Sequence, residues 1–392
     1  MRRPWLSILT LWLIGVLAAA QLAKFSTIAP MLRARFGLSL PEAGLLISLL
    51  EVGGGLFGFV AGLALGWINC RRSLLAGMGI LAATGLLEAS ATSSAMLFAA
   101  RAVEGIGYLL VVIAAPTAIA AIADDRDRSR ALALWSSFVP VGIALGSGIT
   151  SLGVVTFGLR GIMLLWAGLL AAAIVPVLPL RVDGGDSRRI MLPATAGWVS
   201  TLAFGTYTLF LCALTMLLPT FLMTERAATL HESGLVASVA SLSALPASGL
   251  AILLIRREHL SARRLLMIAT PALVGTALLV PLALTGSSDL AATSLLVVGA
   301  VLLSGLVSPL MFARLPILAG AESPHDPRIA SANGLLTQFG AGGALVGPPL
   351  GGLIADGCGW TSLGVTIGGL ALLMLAGVAL SEWITARSPV GM

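Results

Sequence analysis

Residues 5–31 read WLSILTLWLIGVLAAAQLAKFSTIAPM, a run in which Lys24 is the one charged side chain. A helix needs about 20 apolar residues to cross the hydrocarbon of a bilayer, so this run is long enough to span one at a tilt. Similar runs fill the rest of the chain, at 42–68, 73–92, 95–123, 131–156, 159–180, 192–222, 233–255, 264–285, 290–320, 330–355 and 360–385. An all-α membrane protein of twelve transmembrane helices is predicted, numbered here helix 1 to helix 12. The composition agrees: of 392 residues 58% are hydrophobic and 10% charged, and mean hydropathy is +1.02. A soluble domain is about a quarter charged, so a cytosolic enzyme, a secreted disulfide scaffold and a disordered chain are excluded. Open sheets cannot satisfy their edges in lipid, and no ten-residue alternation suggests a barrel.

The first run could be mistaken for a signal peptide ending at Ala18-Ala19-Ala20. It continues past that point to Pro30, and the same pattern returns near Pro219, so it is expected to be retained as helix 1. Other correspondences hold a shift of 190 to 201 residues. Glu42-Ala43-Gly44-Leu45 answers Glu232-Ser233-Gly234-Leu235, Gly105 and Pro116 answer Gly305 and Pro316, and Gly142 and Gly146 answer Gly343 and Gly347. A steady shift is the signature of a duplicated unit. The polar stretch Arg181 to Arg189 parts six helices from six, which predicts two pseudo-symmetric six-helix bundles, 1–180 and 192–392, joined by a linker at 181–191.

The net charge of +6 and pI of 10.2 would suggest nucleic acid in a soluble protein, but here the positive-inside rule accounts for them. With the N-terminus inside, sixteen arginines fall on the cytoplasmic side. Arg33, Arg35, Arg160 and Arg226 fall outside, and Lys24, Arg101 and Arg314 lie within spans. Both termini are therefore expected in the cytoplasm, and no nucleic-acid partner is expected. Cys70, Cys212 and Cys358 lack metal spacing, His231, His259 and His325 fall in predicted loops, and Lys24 follows no glycine-rich phosphate loop. No metal site, cofactor or ATP-driven step is expected.

Charges inside a bilayer cost at least about 2.5–3.5 kcal/mol each on insertion scales and usually mark function. Lys24, Glu51, Arg101 and Glu104 are predicted at one depth, about six to nine residues from the outer face, roughly 9 to 14 Å deep. Arg101, Glu104 and Tyr108 share a face of helix 4, and Gln21 and Lys24 neighbour each other on helix 1. This layer is either a structural ion-pair network or a substrate and proton site. Glu88, near the end of helix 3, is expected to be solvated. Arg314 either snorkels to the interface or meets an anion as the cavity opens. Asn333 and Gln338 on helix 11 are suited to bonding between helices. Glycines recur every fourth residue on helix 2, at Gly54, Gly58, Gly62 and Gly66, with shorter stripes at Gly142 and Gly146 on helix 5 and at Gly343, Gly347 and Gly351 on helix 11. Small residues at this spacing let helix backbones approach closely, either as static packing or as gates that slide.

Six plus six helices with a duplicated half resemble the major facilitator superfamily over the whole chain. Its loop 2–3 motif is met at Gly62, Arg71 and Arg72 but departs at Gly66, Trp67 and Asn69, so its usual acid is missing. Its helix 4 motif is matched by Arg101-Ala102-Val103-Glu104-Gly105. The glycine-proline pattern of antiporters is broken in helix 5 at Ser147 but complete in helix 11 from Gly343 through Pro348 to Gly352. The runs Gln21 to Lys24 and Ser331 to Gly340 resemble bacterial cyanate-permease-like transporters. The resemblance implies a secondary transporter, not an enzyme, working by alternating access as a monomer in the bacterial inner membrane. Helices 4 and 7 of the superfamily line the central cavity, which would place Tyr108 and Tyr207 there. Lys24, Gln21, Arg101, Tyr108, Tyr207 and Arg314 are the candidate substrate ligands, and Glu51 and Glu104 the candidate proton-coupling pair. Lys24 and Arg101 favour an anionic or zwitterionic organic solute. A proton-antiport exporter of drugs or metabolites is the alternative, and a membrane sensor or enzyme a remote one.

Overall fold

The computed structural model describes residues 4–64, 69–180, 191–255, 260–285, 289–322 and 326–387. The expected linker 181–191 lies outside the described residues except for Met191, as do Gly66 and Trp67. Among the described residues there is no strand. Ten helical stretches are long and apolar enough to cross a bilayer. One of them, Arg130–Val177, is 48 residues long, which at 1.5 Å per residue is about twice the bilayer's thickness. It reverses at Gly158, whose φ of 66° breaks the helix Phe138–Ala172. The Trp166 indole N–H donates to Thr150 Oγ1 at 3.0 Å across that turn, a contact sixteen residues of straight helix would forbid. The glycine-rich helix Pro327–Cys358 supplies a further span. The twelve expected spans are thus present.

Two spans differ from uninterrupted helices. Helix 2 consists of Leu40–Ser48, a 3-10 turn at Leu49–Glu51, and Val52–Ala64, and helix 8 breaks at Ser243 between Leu230–Leu242 and Ala244–Ile255. The repeated Glu-x-Gly-Leu sequence now has a physical meaning. Ser39 and Glu42 form a capping box at the start of helix 2, and Thr229 and Glu232 form the same box on helix 8. His231 sits in that first helical turn, not in a loop. The second repeated feature serves the breaks: Gly105 packs where a methyl group would come within 2.7 Å of the Leu49 carbonyl oxygen, and Gly305 lies against Ala244 and Ala247. Asn69, where the family's motif has its second glycine, caps Cys70–Ala89 by accepting from the Arg72 N–H. Arg71 donates to the Leu178 carbonyl at 2.6 Å.

Buried side chains gather into two large clusters. One draws on residues from Ile8 to Leu180 and admits Met216, and the other draws on residues from Ala203 to Val378 and admits Leu40. Large apolar side chains such as Val155 and Leu295 are about three-quarters exposed, at 76% and 74%, as lipid-facing positions require. Residues 5, 127, 260 and 387 lie toward one face, called here the terminal face. The turns at 37–39, 90–93, 158 and 359 lie toward the far face.

Candidate functional site

Helix 1, Pro4–Phe36, meets helices 3 and 4, Cys70–Ala89 and Ser94–Ile122, around a set of buried charges. Lys24 Nζ lies 2.5 Å from Glu88 Oε2 and 3.5 Å from Glu104 Oε1, and Arg101 Nη1 lies 2.5 Å from Glu104 Oε2. None of these four side chains is exposed. The Phe25 ring lies under both cations, 4.9 Å from Lys24 Nζ and 4.5 Å from Arg101 Cζ. Arg101 also donates to the carbonyls of Leu46, Ile47 and Gln21 at 2.9–3.1 Å. Two of these carbonyls belong to the turn where helix 2 changes from α to 3-10 geometry, so Arg101 satisfies backbone groups at the break. Gln21 donates to the Leu17 carbonyl, while its Oε1 and one oxygen of Glu88 have no partner.

Three expectations need correction. Glu88 is not solvated but 2% exposed, because the last turn of helix 3 faces helix 1 rather than water, and it takes the place expected for Glu51. Lys24 and Arg101 are not open to a cavity: each is enclosed by carboxylates, carbonyls and Phe25. Arg314 neither snorkels nor waits for an anion. It is 8% exposed, it grips Glu382 with Nε and Nη2 at 2.8 and 2.5 Å, and its Nη1 donates to the Leu260 carbonyl at 3.0 Å. This bidentate pair ties Leu290–Leu318 to Trp360–Arg387 and to the start of helix 9. Glu382→Ala is expected to lower stability by about 3–5 kcal/mol, since it strands a buried guanidinium; a melting temperature equal to wild type would show the pair to be idle.

Glu51 stands apart from the ion pairs, at the end of the 3-10 turn of helix 2, and is half-buried. It faces the hydroxyl of Tyr108 and lies within electrostatic reach of Arg101 and of Cys212. Cys212 and Tyr207 come from helix 7, Thr195–Glu225, and Tyr207 also faces Ser304 of helix 10. Five polar side chains from helices 2, 4, 7 and 10 therefore converge at the junction between the two cores. Tyr108 and Tyr207 are legible in the sequence as cavity residues; Cys212 and Ser304 are brought there by the fold. One signal pointed to Ser304, since the shift of 200 that relates Gly105 to Gly305 sets it opposite Glu104.

The glycine stripes divide by what they touch. Gly54 and Gly58 of helix 2 press on helix 11, where a methyl group at Gly58 would lie 3.0 Å from Gln338 Cα and one at Gly54 2.7 Å from Ala341 Cβ. Gly44 abuts the Pro348 backbone on the same interface, and Gln338 Oε1 accepts from the Phe59 N–H at 3.1 Å. Gly62 lies in Val52–Ala64, but its surroundings are outside the described residues. Gly142 and Gly146 pack on helix 1, against Val16, Ala19, Ala20 and Ala23, whereas Gly343 and Gly347 pack on helix 7, against Gly205, Thr208 and Leu209. Gly351 meets Ala213 and Leu217 of helix 7 and Leu363 of helix 12. Toward the far face, Ser26 of helix 1 donates to the Met216 carbonyl of helix 7 at 2.5 Å, and Ser238 of helix 8 donates to the Ala144 carbonyl of helix 5 at 2.8 Å.

Residues 11–313 match the sequence profile of the Major Facilitator Superfamily. Over 143 residues the chain is 32% identical to the methylenomycin A resistance protein of Streptomyces coelicolor (strain ATCC BAA-471 / A3(2) / M145), a match covering 35% of this chain and 29% of that protein. The chain thus spans less than a third of the length of this curated relative. Its fold is similar to the crystal structure of a bacterial homolog of the human lysosomal transporter Spinster in an inward-facing and unoccupied conformation. That similarity has a TM-score of 0.73 and 15% identity, covering 98% of this chain and 99% of the other. The occupied form of that homolog gives a TM-score of 0.71 at 17% identity, covering 99% and 98%.

Proposed function

The chain belongs to the Major Facilitator Superfamily, and from that premise we propose that it moves a small organic solute through the junction between residues 1–180 and 192–392 by alternating access, coupled to protons. It is a multi-pass membrane transporter and not an enzyme. The observation that supports this route is the convergence of Glu51, Tyr108, Tyr207, Cys212 and Ser304 from four helices on both sides of the junction. A few polar groups in an otherwise apolar interior are what orient a bound small molecule. Around them, helix 2 rests on helix 11 through glycines, and helix 5 on helix 8 through Ser238, contacts that part without stranding an ion pair.

The coupling group in this proposal is Glu51, the half-buried acid at the junction. Glu104 and Glu88, locked to Lys24 and Arg101, hold helices 1, 3 and 4 together. Export in exchange for protons is favoured over import by two features: the complete glycine-proline pattern of helix 11 and the partial likeness to a resistance protein. The protein would act as a monomer in the bacterial inner membrane with both termini in the cytoplasm, as the arginine distribution implies. Comparing solutes inside and outside a deletion strain with those of the same strain carrying the wild-type chain or Glu51→Gln tests this. At least one small organic solute should be retained by the deletion strain and by the Glu51→Gln strain but expelled with the wild-type chain, and a protonophore should abolish the difference. Identical profiles in all three would overturn the proposal.

A further inference from the structure

We propose that the junction accepts a solute bearing a positive charge, an amine, guanidine or quaternary ammonium group, with Glu51 as its counter-ion. The inference rests on the transport route proposed above and names the chemistry of that same site.

Charge inventory carries it. The cations at this depth are Lys24 and Arg101, and both are fully enclosed, with every contact made to carboxylates, carbonyls or the Phe25 ring. Glu88 and Glu104 close on both of them, so neither cation is presented to the junction. To greet an anion, either cation would have to leave a buried carboxylate unpaired, the costly way to break such a pair. Glu51 is different. It is half-buried, and among the described residues no cation lies within ion-pair distance of it. Beside it stand the neutral Tyr108 and Cys212, with Tyr207 and Ser304 beyond Cys212, while Arg101, within electrostatic reach, is committed to Glu104 and three carbonyls. Aromatic faces attract cations through their quadrupole and do nothing comparable for anions. Tyr108 faces this position, and beyond Cys212 stands Tyr207, with Phe204 5.7 Å from its ring. An anion entering here would meet a carboxylate and no free positive charge, whereas a cation would meet a counter-ion and rings.

Cys212 provides a reporter at the site. In purified protein with Cys70 and Cys358 replaced by serine, Cys212 is treated with trimethylammonioethyl methanethiosulfonate or with its sulfonatoethyl counterpart, each rate being divided by that reagent's rate with a small free thiol. A single carboxylate nearby acts on the two reagents in opposite directions and leaves the thiol's own ionisation common to both. The cationic reagent is expected to be favoured by on the order of tenfold or more, and Glu51→Gln should abolish most of that preference. A ratio near one, or a preference for the anionic reagent, overturns the cation proposal while leaving a reachable junction in place. Preference unchanged in Glu51→Gln overturns the role of Glu51. If neither reagent modifies Cys212, no solute reaches this layer and the proposed route itself fails with it.

Discussion

Replacing Lys24 with methionine is expected to cost about 3–5 kcal/mol of stability, because it leaves Glu88 and Glu104 buried with Arg101 as the remaining cation. The distances set the order of damage: Glu88 loses its partner at 2.5 Å, while Glu104 keeps Arg101 at 2.5 Å and loses a contact at 3.5 Å. Adding Glu88→Leu to Lys24→Met removes the stranded charge as well. Apolar replacement of both members of a buried pair is often neutral or stabilising, so the double variant should recover most of the lost melting temperature in detergent. A Lys24→Met protein that melts with wild type would show that the network bears no weight. Transport separates the roles further: if the network is a strut and Glu51 the coupling group, the double variant still responds to a pH gradient, and abolished coupling in a stable double variant would return Lys24 to the transport machinery.

The second large effect concerns two glycines that look alike in the sequence. Gly347→Leu is expected to reduce folded yield, because a side chain there runs into the Leu209 backbone of helix 7, whose carbonyl carbon is 3.1 Å from the added methyl position. Helices 7 and 11 belong to the same core, and backbone cannot step aside; overpacking of this kind costs about 1–3 kcal/mol and occasionally more. Gly58→Leu meets Gln338 of helix 11, across the boundary between the cores. Its strain is relieved by parting the two, so the protein should fold while its conformational equilibrium shifts by roughly 5- to 150-fold, the range that about 1–3 kcal/mol allows. Flux should fall steeply with melting temperature little changed. Equal loss of folded protein in both variants would show that the contact between helices 2 and 11 is as fixed as that between 7 and 11.

Twelve spans, the internal repeat and the family were legible in the sequence because bilayer thickness, backbone hydrogen bonding and the spacing of small residues act along the chain. The lipid imposes length and composition on each helix before any partner is chosen. The repeated Glu42 and Glu232 and the repeated Gly105 and Gly305 are local for the same reason: a cap serves its own first turn, and a glycine marks a close approach whatever approaches. Rotation and pairing are set between helices. Sequence depth placed Lys24, Glu51, Arg101 and Glu104 in one layer, yet depth says nothing of azimuth. Only packing decided that Glu88 turns inward to Lys24, that Arg101 spends its donors on Glu104 and the broken turn of helix 2, and that Arg314 finds Glu382 across 68 residues of chain. Of the two readings open for this layer, those choices favour the ion-pair network, with its cations enclosed by carboxylates and carbonyls, and set Glu51 apart from the ion pairs. In a medium that solvates no charge, the nearest available counter-charge determines what each ionised group becomes, and that neighbour is supplied by the tertiary fold.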